Sequence, residues 1–240
     1  MRVRPEVGRE ERNMRGPEFL DRYEGGRVLA DLLRHYAHQP DALVLALPRG
    51  GVPVGYVVAR QLGVPMDVFL VRKLGAPRHE ELAMGAIASG GMRVINREVV
   101  EELSISREQI DATAEREGRE LQRRELRYRD GRAPPDVRGR TVILVDDGLA
   151  TGTTMRAAVA ALRQQAPARI VVAVPVGAVE SCEDLAAEAD EVICARMPEP
   201  FYAVGLWFRD FAQTSDEEVR ELLARAVSEA GAGVEQPPAP

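Results

Sequence analysis

Short runs of aliphatic residues alternate with amphipathic stretches along most of the chain. The aliphatic runs are Leu43 to Leu47, Met66 to Val71, Val142 to Val145, Ile170 to Val174 and Glu191 to Ala195. Such continuous runs are typical of parallel strands whose two faces are both covered. Between them, helical spacing predicts helices near Gly25 to Ala37, Val54 to Leu62, the residues after Gly152, and Val179 to Ala187. The alternation predicts an α/β fold with a doubly wound parallel sheet.

Two segments depart from this alternation. Leu74 to Glu81 is polar and predicts a loop, whereas Ala83 to Ala88 and Met92 to Ile95 suggest a strand pair joined by Ser89-Gly90-Gly91. Near the end of the chain, residues 196–215 are rich in aromatic side chains and predict a small hood subdomain over the sheet.

A long charged helix is predicted before the third aliphatic run. Ser106 and Gln109 have the spacing of a capping box, and the pattern continues to about Tyr128 with alternating charges. Alternating charges indicate a solvated face with ion pairs between neighbouring turns. We interpret this helix as an insertion that packs against a partner or the sheet, and not as a nucleic-acid-binding helix.

The two ends of the chain lack any periodic pattern. Residues 1–16 are charged, and residues 231–240 are rich in proline and glycine. Both segments are predicted to be disordered, which leaves one domain over residues 17–230.

Composition narrows the function classes. The chain has 240 residues, of which 45% are hydrophobic and 29% charged, enough for one α/β core and a smaller subdomain. Its formal net charge of −6 argues against a nucleic-acid partner. There is no apolar run of about 20 residues and no signal-peptide pattern, so we expect no membrane span and a cytoplasmic protein.

Cysteine and histidine usage gives no metal site. Cys182 and Cys194 lie in unrelated contexts without CxxC spacing, and we expect two reduced thiols. The three histidines show no ligand spacing with them, so no zinc is assigned.

Asp146 and Asp147 are the strongest candidates for chemistry. They directly follow the Val142 to Val145 strand, and strand ends are where open α/β sheets bind ligands. The turn that follows offers backbone N–H groups and three hydroxyls at a helix N-terminus, which is an anion site. An ordinary strand–helix connection with an aspartate cap, or a Walker-B-like acid pair, would also fit the acids alone. Together with the turn, they indicate a sugar phosphate or a metal.

Two further segments place cations near strand ends. Leu43 to Leu47 ends in Pro48-Arg49-Gly50-Gly51, where the glycines let the backbone approach a ligand closely. The Val68 to Val71 strand continues into the basic pair Arg72 and Lys73. A plain turn and a solvated pair are the alternatives for these two segments.

The string VILVDDGLATGTT, residues 142–154, resembles the phosphoribosyl pyrophosphate (PRPP) motif of the type I phosphoribosyltransferases. The resemblance implies that Asp146 and Asp147 bind the ribose hydroxyls and orient a magnesium complex of the substrate. It implies a cradle for the 5′-phosphate made by Ala150, Thr151, Gly152, Thr153 and Thr154. It also implies that pyrophosphate meets Arg49, Gly50, Gly51, Arg72 and Lys73, with a cis peptide bond between Pro48 and Arg49.

The acceptor is less well defined by the sequence. Phe201 followed by Val204-Gly205 resembles the segment that shapes the nucleobase pocket in purine phosphoribosyltransferases, which favours a purine. However, Asp210 lies further from the glycine than the corresponding acid of the hypoxanthine-type enzymes. Ala150 also stands where those enzymes have an aspartate, so the loop supplies no obvious general base.

The sequence therefore predicts a transferase of nucleotide salvage that moves the 5-phosphoribosyl group from PRPP to a nitrogenous base. Mg²⁺ is the expected cofactor, held mainly through substrate oxygens, with Asp146 and Asp147 as the candidate protein ligands. A PRPP- or nucleotide-sensing regulator without turnover is the main alternative, and hydrolysis of a phosphorylated sugar is a third. The sequence does not determine the oligomeric state, and a homodimer is one of the alternatives.

Overall fold

The computed structural model describes residues 18–232. The predicted disorder at residues 1–16 lies outside them, as do residues 233–240 of the predicted C-terminal tail. The helices and strands, in chain order, are α1 Arg22–Leu32, β1 Ala42–Ala46, α2 Gly51–Leu62, β2 Met66–Val68, β3 Val71–Ala76, β4 His79–Ala88, β5 Arg93–Ile95, α3 Arg97–Glu102, α4 Arg107–Arg129, β6 Thr141–Val145, α5 Thr153–Arg163, β7 Arg169–Val176, α6 Val179–Ala186, β8 Glu191–Arg196 and α7 Asp216–Ala232.

Five parallel strands form the central sheet, in the order β2-β1-β6-β7-β8. Successive residues of β1 and β6 enter two separate hydrophobic cores, with Val44 and Ile143 in one and Leu43 and Val142 in the other. Helices α1, α2 and α7 contribute to the first core, and α5 and α6 contribute to the second. The predicted doubly wound parallel sheet is confirmed, because aliphatic strands covered on both faces have no polar side.

The strand order reverses between β1 and β6. The chain runs from β1 outward to β2 on one side, and from β6 through β7 to β8 on the other. The two strands pair in parallel, with Ala46 opposite Val145, so their carboxyl ends lie side by side. Ligands of open α/β sheets bind in the crevice at such a point.

A second, antiparallel sheet contains β3, β4 and β5. The predicted pairing of Ala83 to Ala88 with Met92 to Ile95 is confirmed. The predicted polar loop at Leu74 to Glu81 is wrong, because β3 and β4 form a hairpin that turns at Pro77 and Arg78. Residues 78–82 are exposed, and the buried Leu74 and Ala76 are too short an apolar alternation to identify a strand in a sequence. The basic pair Arg72–Lys73 consequently lies inside β3, not after a strand.

Helix α4 is the predicted charged helix, and both hydrogen bonds of its capping box are formed. It packs against the small sheet and α7 through the buried side chains of Ala114, Leu121 and Tyr128. Arg129, at its end, is 2% exposed, and its Nε is 3.0 Å from the Asp67 carboxylate on β2. The helix is therefore attached to both sheets.

Both cysteines are free and buried, as expected of reduced thiols. Their contexts are not unrelated, however, because α6 and β8 bring both sulfur atoms next to one glycine. A Cβ built on Gly177 would lie 2.8 Å from Cys182 Sγ and 3.1 Å from Cys194 Sγ.

Among the described residues, no helix is long and apolar enough to cross a membrane.

Candidate active site

Asp146 and Asp147 leave the end of β6 at the crevice between the two sheet halves. The backbone N–H of Asp147 donates to Asp146 Oδ1 over 2.8 Å, which fixes the Asp146 side chain against the backbone of Asp147. Burial, followed by the neighbouring Asp147 carboxylate, raises the pKa of Asp146 well above its usual range. Burial also raises the pKa of Asp147, and the guanidinium of Arg22 opposes that rise. A ligand that brings hydrogen-bond donors or a cation would therefore stabilise the ionised form of these two carboxylates.

The loop after β1 lies directly against these carboxylates. The peptide bond between Pro48 and Arg49 is cis, as the resemblance implied. A Cβ on Gly50 would overlap the carboxylate of Asp147, and one on Gly51 would lie 2.8 Å from the Cα of Asp146. Because only glycine leaves room for this approach, the two loops form one continuous wall of the crevice.

The turn after the acids opens helix α5. Gly152 is the residue before the helix and has a φ of +68°, a left-handed conformation that favours glycine. The Ser181 hydroxyl donates to the Ala150 carbonyl over 2.6 Å and ties the turn to α6. The hydroxyl oxygens of Thr151 and Thr153 lie 3.2 Å apart, and both residues are exposed. The turn thus presents hydroxyls at a helix N-terminus, the arrangement of an anion site.

Arg49 lies beside this wall. Its guanidinium is 3.9 Å from the Asp216 carboxylate at the start of α7. Asp216 also accepts a hydrogen bond from the Tyr128 hydroxyl over 2.7 Å, and that bond is the main cause of its lowered pKa. The end of α4 and the start of α7 therefore meet next to the Pro48–Gly51 loop.

The two basic residues of β3 have protein partners. Arg72 binds the Glu117 carboxylate of α4, with Nη2 to Oε2 at 2.6 Å. Lys73 Nζ donates to the Glu81 carbonyl over 3.2 Å across the hairpin, and its side chain is 46% exposed. Adjacent strand residues point to opposite faces, so Arg72 and Lys73 are directed away from each other. Their assignment to pyrophosphate stays a prediction.

The aromatic segment packs next to the acid motif. Phe201 is half-buried against a cluster formed by Phe19, Val176 and Phe208. A Cβ on Gly148 would lie 2.6 Å from Val204 Cγ1, which places Val204 directly over the residue that follows the two acids. The Asp210 carboxylate accepts a hydrogen bond from the Ala212 N–H over 3.0 Å, so it caps its own loop.

Arg22 is a site residue that the sequence analysis missed. Helix α1 begins at Arg22, three residues before the predicted start, and Arg22 Nε donates to Asp147 Oδ2 over 2.8 Å. The signal in the sequence was a basic residue directly after the capping residue Asp21. A cation is unfavourable at a helix N-terminus unless something compensates it.

The donor set fits a divalent cation that shares its ligands with a bound molecule. The described part of the chain contains no group of three or more histidine, cysteine or acidic residues that could hold a metal. Two carboxylates alone suit Mg²⁺, which keeps several waters and takes phosphate oxygens from its substrate.

Comparisons with known proteins agree with this geometry. The family model of the phosphoribosyl transferase domain matches residues 20–201. A protein of Mycobacterium tuberculosis, provisionally named as a phosphoribosyl transferase, is 45% identical over 217 residues, or 89% of this chain and 49% of its own length. The crystal structure of the protein TT1426 from Thermus thermophilus is 41% identical, with a TM-score of 0.78, and the match covers 87% of this chain and 98% of that one. The chain spans about half the length of the curated relatives that it matches.

Proposed function

This chain belongs to the phosphoribosyltransferase family, and from that premise we propose that it transfers the 5-phosphoribosyl group of PRPP to a nitrogenous base with release of pyrophosphate. The observation that carries the proposal is the wall made by Asp146, Asp147 and the Pro48–Gly51 loop. It adjoins the turn before α5, which has the arrangement of an anion site, at the switch point of the sheet. PRPP has a ribose with a phosphate at one end and a pyrophosphate at the other. This order would match two carboxylates that lie between the turn before α5 and the Pro48–Gly51 loop.

Each part of the substrate has a complementary group. Asp146 and Asp147 would accept hydrogen bonds from the ribose hydroxyls, bonds that charge makes about twice as strong as neutral ones. The turn from Ala150 to Thr154 would receive the 5′-phosphate through backbone N–H groups and hydroxyls. Pyrophosphate would lie against the Gly50 and Gly51 backbone.

Positive charge is needed mostly on the pyrophosphate side. Loss of pyrophosphate from C1 passes through an oxocarbenium-like state, as glycosyl transfer generally does. The guanidinium of Arg49 and the half-exposed ammonium of Lys73 would oppose the negative charge that builds on the leaving group. Arg72 would join them only by exchanging its bond to Glu117 for one to pyrophosphate. Mg²⁺, when bound with the substrate, would supply further neutralisation of the diphosphate.

A purine is the favoured acceptor. Val204 packs over Gly148, so the segment from Phe201 to Gly205 adjoins the acids that would hold the ribose. A half-buried ring at that position can stack on a planar base. Since Ala150 offers no proton acceptor in the phosphate loop, the reaction would depend on positioning and electrostatics more than on general base catalysis.

Pyrophosphate release tests the proposal. The protein is incubated with Mg²⁺, PRPP and single bases, and the double variant Asp146→Asn/Asp147→Asn is assayed beside it. We expect release with at least one base, purines first, and its loss in the double variant. The matched control is Glu101→Gln/Glu102→Gln, an adjacent pair of exposed carboxylates on α3 that should leave activity unchanged.

The outcomes separate the alternatives. PRPP binding by calorimetry without pyrophosphate release with any base would favour a sensor. Release that needs no base would indicate hydrolysis of the sugar phosphate. PRPP affinity that is equal in the wild type and the Asp146/Asp147 double variant would overturn the site assignment itself.

A further inference from the structure

Arg22 has no role in the proposed reaction so far, although it contacts one of its central carboxylates. We propose that Arg22 is a positioning residue that fixes Asp147 in the orientation in which it receives the ribose hydroxyls. The inference rests on the proposed function. It adds a residue from α1, the first helix of the chain, 125 residues before Asp147.

Arg22 is held on three sides. Its Nε donates to Asp147 Oδ2 over 2.8 Å, and its Nη1 donates to the Ala212 carbonyl over 2.7 Å. The guanidinium carbon lies 3.8 Å from the centre of the Phe211 ring. Its side chain is 11% exposed. An arginine with a carboxylate, a carbonyl and an aromatic face as partners has little freedom to reorient.

Asp147 is consequently enclosed between two fixed elements. Arg22 holds Oδ2 from one side, and the Gly50 backbone approaches the same carboxylate so closely that no Cβ would fit. An ionised carboxylate has about four acceptor positions, so one bond to Arg22 leaves others for a ligand. A carboxylate fixed before the ligand arrives loses little entropy on binding it.

The position of Arg22 in its helix points to the same role. It is the first residue of α1, where the helix dipole disfavours a cation. The preceding residue, Asp21, caps the helix by accepting a hydrogen bond from the Glu24 N–H. A residue that contradicts its local environment is expected where a distant partner compensates it, and Asp147 is 125 residues away.

This arrangement also gives the aromatic segment a second task. Phe211 and Ala212 lie beyond the Phe201–Gly205 stretch assigned to the base, and both contact Arg22 directly. Phe211 in turn stacks on Phe208, with ring centroids 5.2 Å apart. The end of this segment therefore supports the ribose site through Arg22.

A double-mutant cycle on PRPP affinity tests the inference. The dissociation constant is measured by calorimetry for the wild type, Arg22→Gln, Asp147→Asn and the double variant. We expect Arg22→Gln to weaken binding by about 10- to 100-fold, the range for one charge-assisted hydrogen bond. In the Asp147→Asn background the same change should have almost no effect, because Arg22 acts through Asp147.

Further variants separate positioning from a general structural effect. Arg22→Lys keeps the charge but loses the forked geometry, and should recover only part of the affinity. Phe211→Leu leaves Arg22 in place without its ring and should cause an intermediate loss, which keeps the test usable if Arg22→Gln folds poorly. Arg34→Gln, which removes an exposed ion pair to Asp31, is the matched control and should change nothing.

Additive effects in the cycle would show that Arg22 acts on PRPP binding independently of Asp147, and would overturn the positioning role. Unchanged affinity in Arg22→Gln would overturn it as well, while leaving the proposed function intact. A wild-type protein that binds no PRPP would instead overturn the proposed function, and with it this role of Arg22.

Discussion

At the scale of single residues, the charge of Asp146 is unfavourable to folding. Burial and the neighbouring Asp147 raise its pKa, so the folded protein binds the proton more tightly than the unfolded chain does. Binding of this proton therefore adds to the free energy of unfolding. The contribution is fully present below the pKa of the unfolded chain, about 3.9, and is lost as the pH rises through the higher pKa of the folded protein. Under the proposed function, the site retains for the ribose hydroxyls a carboxylate that the ligand-free protein would fold better without.

Asp146→Asn should therefore raise the melting temperature of the ligand-free protein at pH 7. The substitution removes the charge and keeps an oxygen that can accept from the Asp147 N–H. The gain should shrink as the pH approaches 4, because the wild-type carboxyl is then neutral too. Thermal unfolding in a chelating buffer between pH 4 and 8 measures it, with the exposed Asp31→Asn as control. A lower melting temperature at pH 7 would contradict the electrostatic explanation.

Gly152 gives a second prediction at this scale. A Cβ there would have room, since the nearest atom is Ser181 Cβ at 3.6 Å, so its left-handed φ of +68° is what disfavours a side chain. Gly152→Val should cost about 1–2 kcal/mol or displace the turn. It should weaken ribose 5-phosphate and PRPP binding equally, because both carry the 5′-phosphate. Gly152→Asn should be milder, since asparagine tolerates this conformation. A loss confined to PRPP would show that the turn contacts pyrophosphate.

At the scale of elements, helix α4 connects parts of the molecule that the parallel sheet alone would leave separate. It holds the β3–β4 hairpin through Arg72 and Glu117, and β5 through Arg93 and Asp111. Its last residue, Arg129, reaches Asp67 and the Val68 carbonyl on β2. The hairpin carries Lys73, so this helix determines where that cation lies.

Arg129→Met tests the attachment of α4. Asp67 is buried, and burial already raises its pKa against the opposing charge of Arg129. Removing one member of a buried pair costs about 3–5 kcal/mol, or a fall in melting temperature of roughly 10 °C for a chain of this size. Adding Asp67→Asn should restore part of that loss. Arg119→Met, at an exposed pair with Glu115, should be nearly neutral. Equal effects at both positions would contradict the importance of burial.

At the scale of the whole molecule, the candidate site is assembled from separate parts of the fold. The loops after β1 and β6, the start of α1 and the end of the aromatic segment all meet at the switch point of the sheet. A ligand that joins them should stabilise the folded protein as a unit.

PRPP with Mg²⁺ should therefore raise the melting temperature. At 100 times its dissociation constant, a ligand adds about 2.7 kcal/mol, which corresponds to roughly 5–10 °C here. The Asp146→Asn/Asp147→Asn variant should show no such rise. An unchanged wild-type melting temperature, at a concentration that calorimetry shows to be saturating, would contradict binding to the folded state.

The sequence by itself determined the parts whose evidence lies within a few residues. The run from Val142 to Thr154 contains a buried strand, two acids and a small-residue turn in direct succession, so its local structure needs no distant partner. The alternation of aliphatic runs and helices similarly predicted the doubly wound sheet, because covered parallel strands require it. The capping box at Ser106 was readable for the same reason.

Only the tertiary structure decided which distant groups meet. Arg22 is one of 32 lysine and arginine residues, and nothing local distinguishes Asp147 as its partner from the other acids. Arg72 binds Glu117 of α4, a partner 45 residues away that no local pattern indicated, and its assignment to pyrophosphate stays a prediction. Periodicity specifies which face of an element is buried, but the packing of whole elements chooses the partner of each charge.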